Sequence, residues 1–155
     1  MMKNRTKLVR KQLDKTLLEF RPILGISIPQ KGWIRAIRDS LGMSGRQLAD
    51  RLGVTRQRVS EIERDELTGS VTLKSMRKVA DCLDCVFVYA VVPRTSLEHT
   101  VHDRAKQVAE ERQKRASQLM LLEGQELKED DEFDALSDMI EEMIETLPST
   151  LWDDS

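Results

Sequence analysis

The stretch Ser44-Gly45-Arg46-Gln47-Leu48-Ala49-Asp50-Arg51-Leu52-Gly53-Val54-Thr55-Arg56-Gln57-Arg58-Val59-Ser60-Glu61-Ile62-Glu63 decides the fold. Ser44 is a helix-capping residue type, Leu48, Ala49 and Leu52 follow it on one helical face, and Gly53 takes the positive φ that ends a helix. Thr55 then caps a second helix. On that helix Val59 and Ile62 point inward at helical spacing, with Val54 in the turn, so Arg56, Gln57, Ser60, Glu61 and Arg64 face out. The pattern predicts two short helices joined by a tight turn, a helix-turn-helix.

Two helices held at a fixed angle let the second enter a DNA major groove about 12 Å wide. Arg56 and Gln57 fall in its first turn, where side chains reach base edges, Arg suited to guanine and Gln to adenine. With Ser60 and Glu61 they are the base-reading candidates. Ser44, Arg46, Thr55, Arg58 and Lys74 are placed for phosphates, with helix amino ends adding partial positive charge. Such contacts set register and carry no base preference of their own.

At these residues the chain resembles the Xre type of helix-turn-helix, the family of the Cro and cI phage repressors. The resemblance covers residues 32–83 and rests on the turn Leu52-Gly53-Val54-Thr55, the Arg56-Gln57-Arg58 that follows, and Glu61-Ile62-Glu63. It implies base reading by Arg56 and Gln57. Family members often carry Gln at the position of Gly45, so a common first-helix contact is missing here.

Composition and charge bound the rest. With 155 residues, 39% hydrophobic and 4% aromatic, the chain can bury one small core plus helical extensions. The net charge of −2 hides a polarity: residues 1–78 carry +10, residues 79–118 balance, and residues 119–155 carry −12. The basic half suits nucleic acid and should bind it more weakly as salt rises. No signal-peptide core opens the chain, and the longest apolar run, residues 86–92, cannot span a bilayer. A cytoplasmic protein with no membrane association is expected.

Residues 7–20 place Leu8, Val9, Leu13, Leu17 and Phe20 on one stripe of a basic amphipathic helix. It either packs on the chain's own core or touches flanking DNA or a second subunit. Pro22, Gly25 and Pro29 make residues 21–31 a linker. Trp33, Ile34 and Ile37 begin the next helix, with Trp33 read as core. Residues 72–83 form a helix with Leu73, Met76, Val79, Ala80 and Leu83 inward. Residues 85–92, Cys-Val-Phe-Val-Tyr-Ala-Val-Val, turn strand-like. Such a strand pairs with its copy in a two-fold homodimer, suited to a palindromic operator, or within the chain against residues 25–28.

Cys82-x-x-Cys85 and His99-x-x-His102 approach a zinc-finger spacing. Cys82 falls on the apolar side of a helix end, and the histidines stand only three apart, so the pairs are read as two buried thiols and two unrelated histidines, with no metal. No phosphate-binding loop, His-Glu-x-x-His or nucleophile elbow occurs, and Ser44 in Gly42-Met43-Ser44-Gly45 is already a cap. Neither an enzyme nor a cofactor is expected.

Toward the end, Leu97, Val101, Ala105, Val108, Leu119 and Leu122 mark a long amphipathic helix. Phe133, Leu136, Ile140, Met143 and Leu147 mark a second, acidic one. Its seam folds back on residues 97–122, pairs across a dimer, or lies in a groove on another protein. The expected fold is mainly α: a five-helix helix-turn-helix domain with one short β-strand, and long C-terminal helices. The boundaries expected are an N-terminal basic helix and linker over 1–30, the DNA-binding domain with its terminal strand over 31–93, and an acidic helical region over 94–155.

A closer resemblance covers nearly the whole chain. Thr72-Leu73-Lys74-Ser75-Met76-Arg77, Leu83-Asp84-Cys85-Val86-Phe87-Val88-Tyr89-Ala90-Val91-Val92-Pro93 and Leu151-Trp152-Asp153 look like the family called mobile mystery protein A. Those proteins are bacterial, sit on mobile elements and are encoded beside a Fic-domain protein. The resemblance implies an autorepressor with an antitoxin-like role toward a Fic partner. AMP-transferring Fic proteins are silenced by a helix carrying Ser/Thr-x-x-x-Glu-Gly/Asn. Glu123-Gly124 supplies the last two residues, with Leu119 where Ser or Thr would stand.

Overall fold

The computed structural model of the chain describes residues 2–124 and 129–153. Met1, residues 125–128 and residues 154–155, part of the acidic stretch among them, lie outside the described residues. The described chain holds seven α-helices: α1 (Met2–Leu18), α2 (Trp33–Ser40), α3 (Gly45–Leu52), α4 (Arg56–Thr68), α5 (Leu73–Cys82), α6 (Leu97–Leu122) and α7 (Glu129–Thr146). Short 3-10 turns lie at Arg21–Gly25 and Ser149–Trp152. They group into two compact units, Pro22–Val91 and Met1–Arg21 with Val92–Ser155.

In the unit Pro22–Val91, helix ends are set by local chemistry. Ser44 accepts the Gln47 N–H at 3.2 Å while the Gln47 side chain accepts the Ser44 N–H at 2.7 Å, a reciprocal capping box that starts α3. Thr55 and Thr72 cap α4 and α5 with a single bond each, their hydroxyl oxygens accepting the N–H groups of Arg58 and Ser75. Gly53, at φ +69°, closes α3, with the Val54 N–H reaching the Ala49 carbonyl at 3.0 Å. Ile34, Leu48, Ala49, Val59, Ile62, Val79 and Leu83 form the core, one from α2, two each from α3 and α4, and two from α5 and its end. Met76 packs against that core and Ala80 is half-buried, Val54 is 39% exposed, and Leu73 and Trp33, expected inside, are 45% and 41% exposed.

This unit contains four α-helices, against the five expected, and the expected β-strand is absent. After Leu83, Asp84 takes φ +56° and the Cys85 N–H bonds back to the Ala80 carbonyl at 2.8 Å, which stops α5. Residues 85–92 then run without regular structure. β-Branched residues make a strand only where a second strand supplies ladder bonds, and no strand occurs among the described residues. The alternation read from the sequence survives in part: Cys85 and Phe87 are half-buried, while Val86 and Val88 are exposed. The Phe87 and Tyr89 rings stack at 5.9 Å, and the Arg77 guanidinium lies over Tyr89.

In the other unit α7 returns along α6. Arg104 Nε donates to the Leu151 carbonyl at 2.7 Å near one end, and Gln113 Nε2 donates to the Glu132 carbonyl at 2.7 Å toward the other. Fully buried Ala105 and Ala109 leave room for Met143 and Leu151 against α6. The seam of Leu136, Ile140, Met143 and Leu147 is therefore satisfied within the chain. Phe133, read as part of that seam, stays exposed, as do Leu119 and Leu122, read on the apolar stripe of α6.

Helix α1 belongs to this unit. Arg10 is buried and grips Glu98 with two nitrogens, Nε to Oε2 at 2.7 Å and Nη2 to Oε1 at 3.3 Å. Asp14 accepts the backbone N–H groups of Leu97 at 2.7 Å and Glu98 at 3.1 Å, so an α1 carboxylate caps the amino end of α6. The basic helix thus contacts its own chain through Arg10 and Asp14, while Leu8, Val9 and Leu13 of its expected apolar stripe stay exposed. No helix among the described residues is long and apolar enough to cross a membrane.

Candidate nucleic-acid interface

Helix α4 is built to show one side. Val59 and Ile62 bury, and the packing side continues through Glu63 and Glu66. The Glu66 carboxylate accepts the N–H groups of Trp33 at 2.7 Å and Ile34 at 3.0 Å, capping α2 from across the domain. Glu63 accepts from Arg38 Nε at 2.7 Å, and Arg38 Nη1 also holds the Met43 carbonyl at 2.8 Å. The hydrogen bond that Arg38 donates to Glu63 raises the Arg38 pKa above its ordinary value, against the opposing pull of burial.

These contacts sort the charges of α4. Its sequence holds four acids beside three arginines, yet Glu63 and Glu66 are spent on α2. Arg56, Gln57, Arg58, Ser60 and Arg64 are left exposed, with Glu61 half-exposed among them. Every residue read from the sequence as base-contacting lies on this outward arc.

The phosphate candidates lie at helix starts. Ser44 and Thr55 use their hydroxyl oxygens to accept cap bonds, which leaves each hydroxyl proton free to donate outward. Arg46 is exposed in the first turn of α3 and Lys74 in the first turn of α5. Arg58 Nη1 rests on Glu61 Oε2 at 3.0 Å, an exposed pair that a phosphate can replace at little cost.

The structure adds residues that sequence reasoning missed. Gln30, Lys31 and Arg35, with Ser60 and Arg64, line a cleft of about 250 Å³ running from α4 toward the start of α2. Three cations meet there. Lys31 and Arg35 flank the apolar Trp33 and Ile34, which read as core and drew attention away from them.

The other sequence candidates sit elsewhere. Glu123 follows the last residue of α6, its N–H on the Leu119 carbonyl at 3.2 Å, and Gly124 takes φ +74°; both are exposed. Cys82 and Cys85 are free thiols, half-buried. His99 Nε2 lies 3.1 Å from Asp103 on the next turn of α6. No group of three His, Cys, Asp or Glu side chains placed to hold a metal occurs among the described residues.

Residues 34–86, about a third of the chain, match the helix-turn-helix family model HTH_3. They form a helix-turn-helix domain of the Xre, Cro and cI type, spanning α2 to α5. No curated protein and no solved structure matches the chain.

Proposed function

We propose that the chain, whose residues 34–86 are a helix-turn-helix domain, is a sequence-specific DNA-binding transcriptional regulator. One observation carries the reading. The outward arc of α4 presents Arg56, Gln57, Arg58, Ser60 and Arg64 in solvent while its acids Glu63 and Glu66 are turned into the domain. That arc has base-reading chemistry in its first turn, and exposed Arg46 and Lys74 start the neighbouring helices. Residues 31–93 are the DNA-binding domain in this reading, and no catalytic role is assigned.

A two-fold dimer on a palindromic operator is the form we propose, because half-site spacing then mirrors protein symmetry. The exposed Val86, Val88 and Val91 offer apolar surface for a second copy. Autorepression with an antitoxin-like role toward a Fic-domain partner is the finer form of the proposal. It rests on the resemblance of residues 72–93 and 151–153, with exposed Glu123 and Gly124 as the residues to address.

The test is binding to DNA from the protein's own upstream region against scrambled DNA, at two salt concentrations, with the mass of the complex recorded. A preference well above about tenfold, with two chains per duplex, supports the reading. Weak and equal binding to both overturns it.

A further inference from the structure

We infer that Glu61 is a specificity-determining residue of α4 that works largely by exclusion, accepting from the exocyclic amino group of a cytosine and penalising other bases at that position. The inference rests on the proposed DNA-binding reading and assigns one side chain a distinct role within it.

The carboxylates of α4 have different fates. Glu66 is held by two backbone N–H groups of α2 and Glu63 by Arg38. Glu61 instead lies on the outward arc, one turn after Gln57, with a third of its side chain exposed. Its Oε2 takes Arg58 Nη1 at 3.0 Å and its Oε1 stands 3.5 Å from Gln57 Nε2. In the free protein its charge is therefore balanced by a partner that DNA competes for.

Docking changes that balance. Arg58 is drawn to a phosphate, and Glu61 is then a bare carboxylate entering a polyanionic groove. A carboxylate has no proton to give, so guanine N7 and O6 and thymine O4, all acceptors, repel it, and adenine offers its N6 donor only beside the acceptor N7. Cytosine N4 offers a donor, and Glu is a known geometric match for it. The energy of the wrong contact matters as much as that of the right one, since an unpaired charge rejects competing sites. Gln at this position has both a donor and an acceptor and loses the rejection.

The experiment selects full-length wild-type protein, Glu61→Gln and Glu61→Ala against a pool of duplexes of randomised sequence, with affinity for one scrambled duplex measured in parallel. Wild type is expected to enrich cytosine at one position of each half-site. Both variants should lose that preference by ~10-fold or more, the scale of one base contact, keep their preferences elsewhere, and bind the scrambled duplex more tightly. Identical base preferences in all three proteins overturn the inference, because a Glu61 that only holds Arg58 would shift affinity evenly. A wild type that enriches no sequence overturns the DNA-reading proposal itself, and the inference falls with it. Glu61 makes no core contact, so thermal melts of the variants should match wild type.

Discussion

Arg38 of α2 and Glu63 of α4 form a nearly buried ion pair, 2.7 Å from Nε to Oε1, with side chains 10% and 12% exposed. The same guanidinium holds the Met43 carbonyl just before α3 starts. One side chain thus ties three successive segments together and fixes the angle at which α4 is presented. A pair of this kind costs desolvation, and its net contribution is small, but removing one partner strands the other.

Arg38→Ala is expected to destabilise the protein by about 3 kcal/mol, read from urea denaturation, because Glu63 would remain buried and unpaired. The double variant Arg38→Met with Glu63→Leu should recover most of that loss. If it is no better than Arg38→Ala, the cost lies in packing and the stranded charge is not its source.

Gly32 precedes α2 at φ +77°, and a Cβ there would stand 2.7 Å from the Glu66 carboxylate oxygen. That carboxylate is held by two N–H groups, so it can yield only by giving up the cap. Gly32→Ala should therefore cost about 1–2 kcal/mol in a denaturant melt, from positive-φ strain and a lost cap together. Glu66→Gln keeps the acceptor on one side only and should cost less than Gly32→Ala; the reverse order would place the strain elsewhere.

The helix-turn-helix was legible because its signals are local. Ser44, Gly53 and Thr55 cap or end helices through neighbours within a few positions, and Leu48, Ala49, Val59 and Ile62 repeat at helical period. The strand was misread because β-propensity speaks of packing with another strand, and residues 85–92 have none among the described residues. The roles of Glu63 and Glu66 were not legible, since their partners, Arg38 and the start of α2, lie 25 to 33 positions away. Their spacing with Val59 and Ile62 was the available signal, as four residues on one face. Lys31 and Arg35 were hidden for the same reason: the cleft they line with Ser60 and Arg64 forms only when α2 packs on α4.

Glu98 illustrates a pH effect whose sign follows from its partner. The Arg10 hydrogen bond, with Arg10, Lys11 and Lys7 as nearby positive charges, lowers its pKa below the ordinary carboxylate range despite the opposing effect of burial. A depressed folded pKa means the contribution is present above the unfolded value and is lost as pH falls through the folded one. Thermal melts of wild type and Glu98→Gln should differ near neutral pH and converge under acid conditions, below the usual glutamate range. A gap that stays constant down to strong acid would show that the α1–α6 contact does not depend on this charge.

Salt titration separates the two kinds of contact on the proposed interface. Lys31, Arg35 and Lys74 have no base-reading geometry of their own, so Lys31→Ala, Arg35→Ala and Lys74→Ala should each weaken binding to specific and scrambled duplexes alike. Each should also reduce the slope of log affinity against log salt by ~0.9, the counterion equivalent of one phosphate contact. Arg56→Ala and Gln57→Ala sit in the first turn of α4 and should instead collapse the preference for specific over scrambled DNA, by about 1–3 kcal/mol each. The cleft residues are the sharper test, because nothing in the linear sequence sets Lys31 and Arg35 apart. They carry phosphates only if α2 and α4 meet as they do here. An unchanged salt slope in both Lys31→Ala and Arg35→Ala would confine the backbone contacts to the starts of α3, α4 and α5.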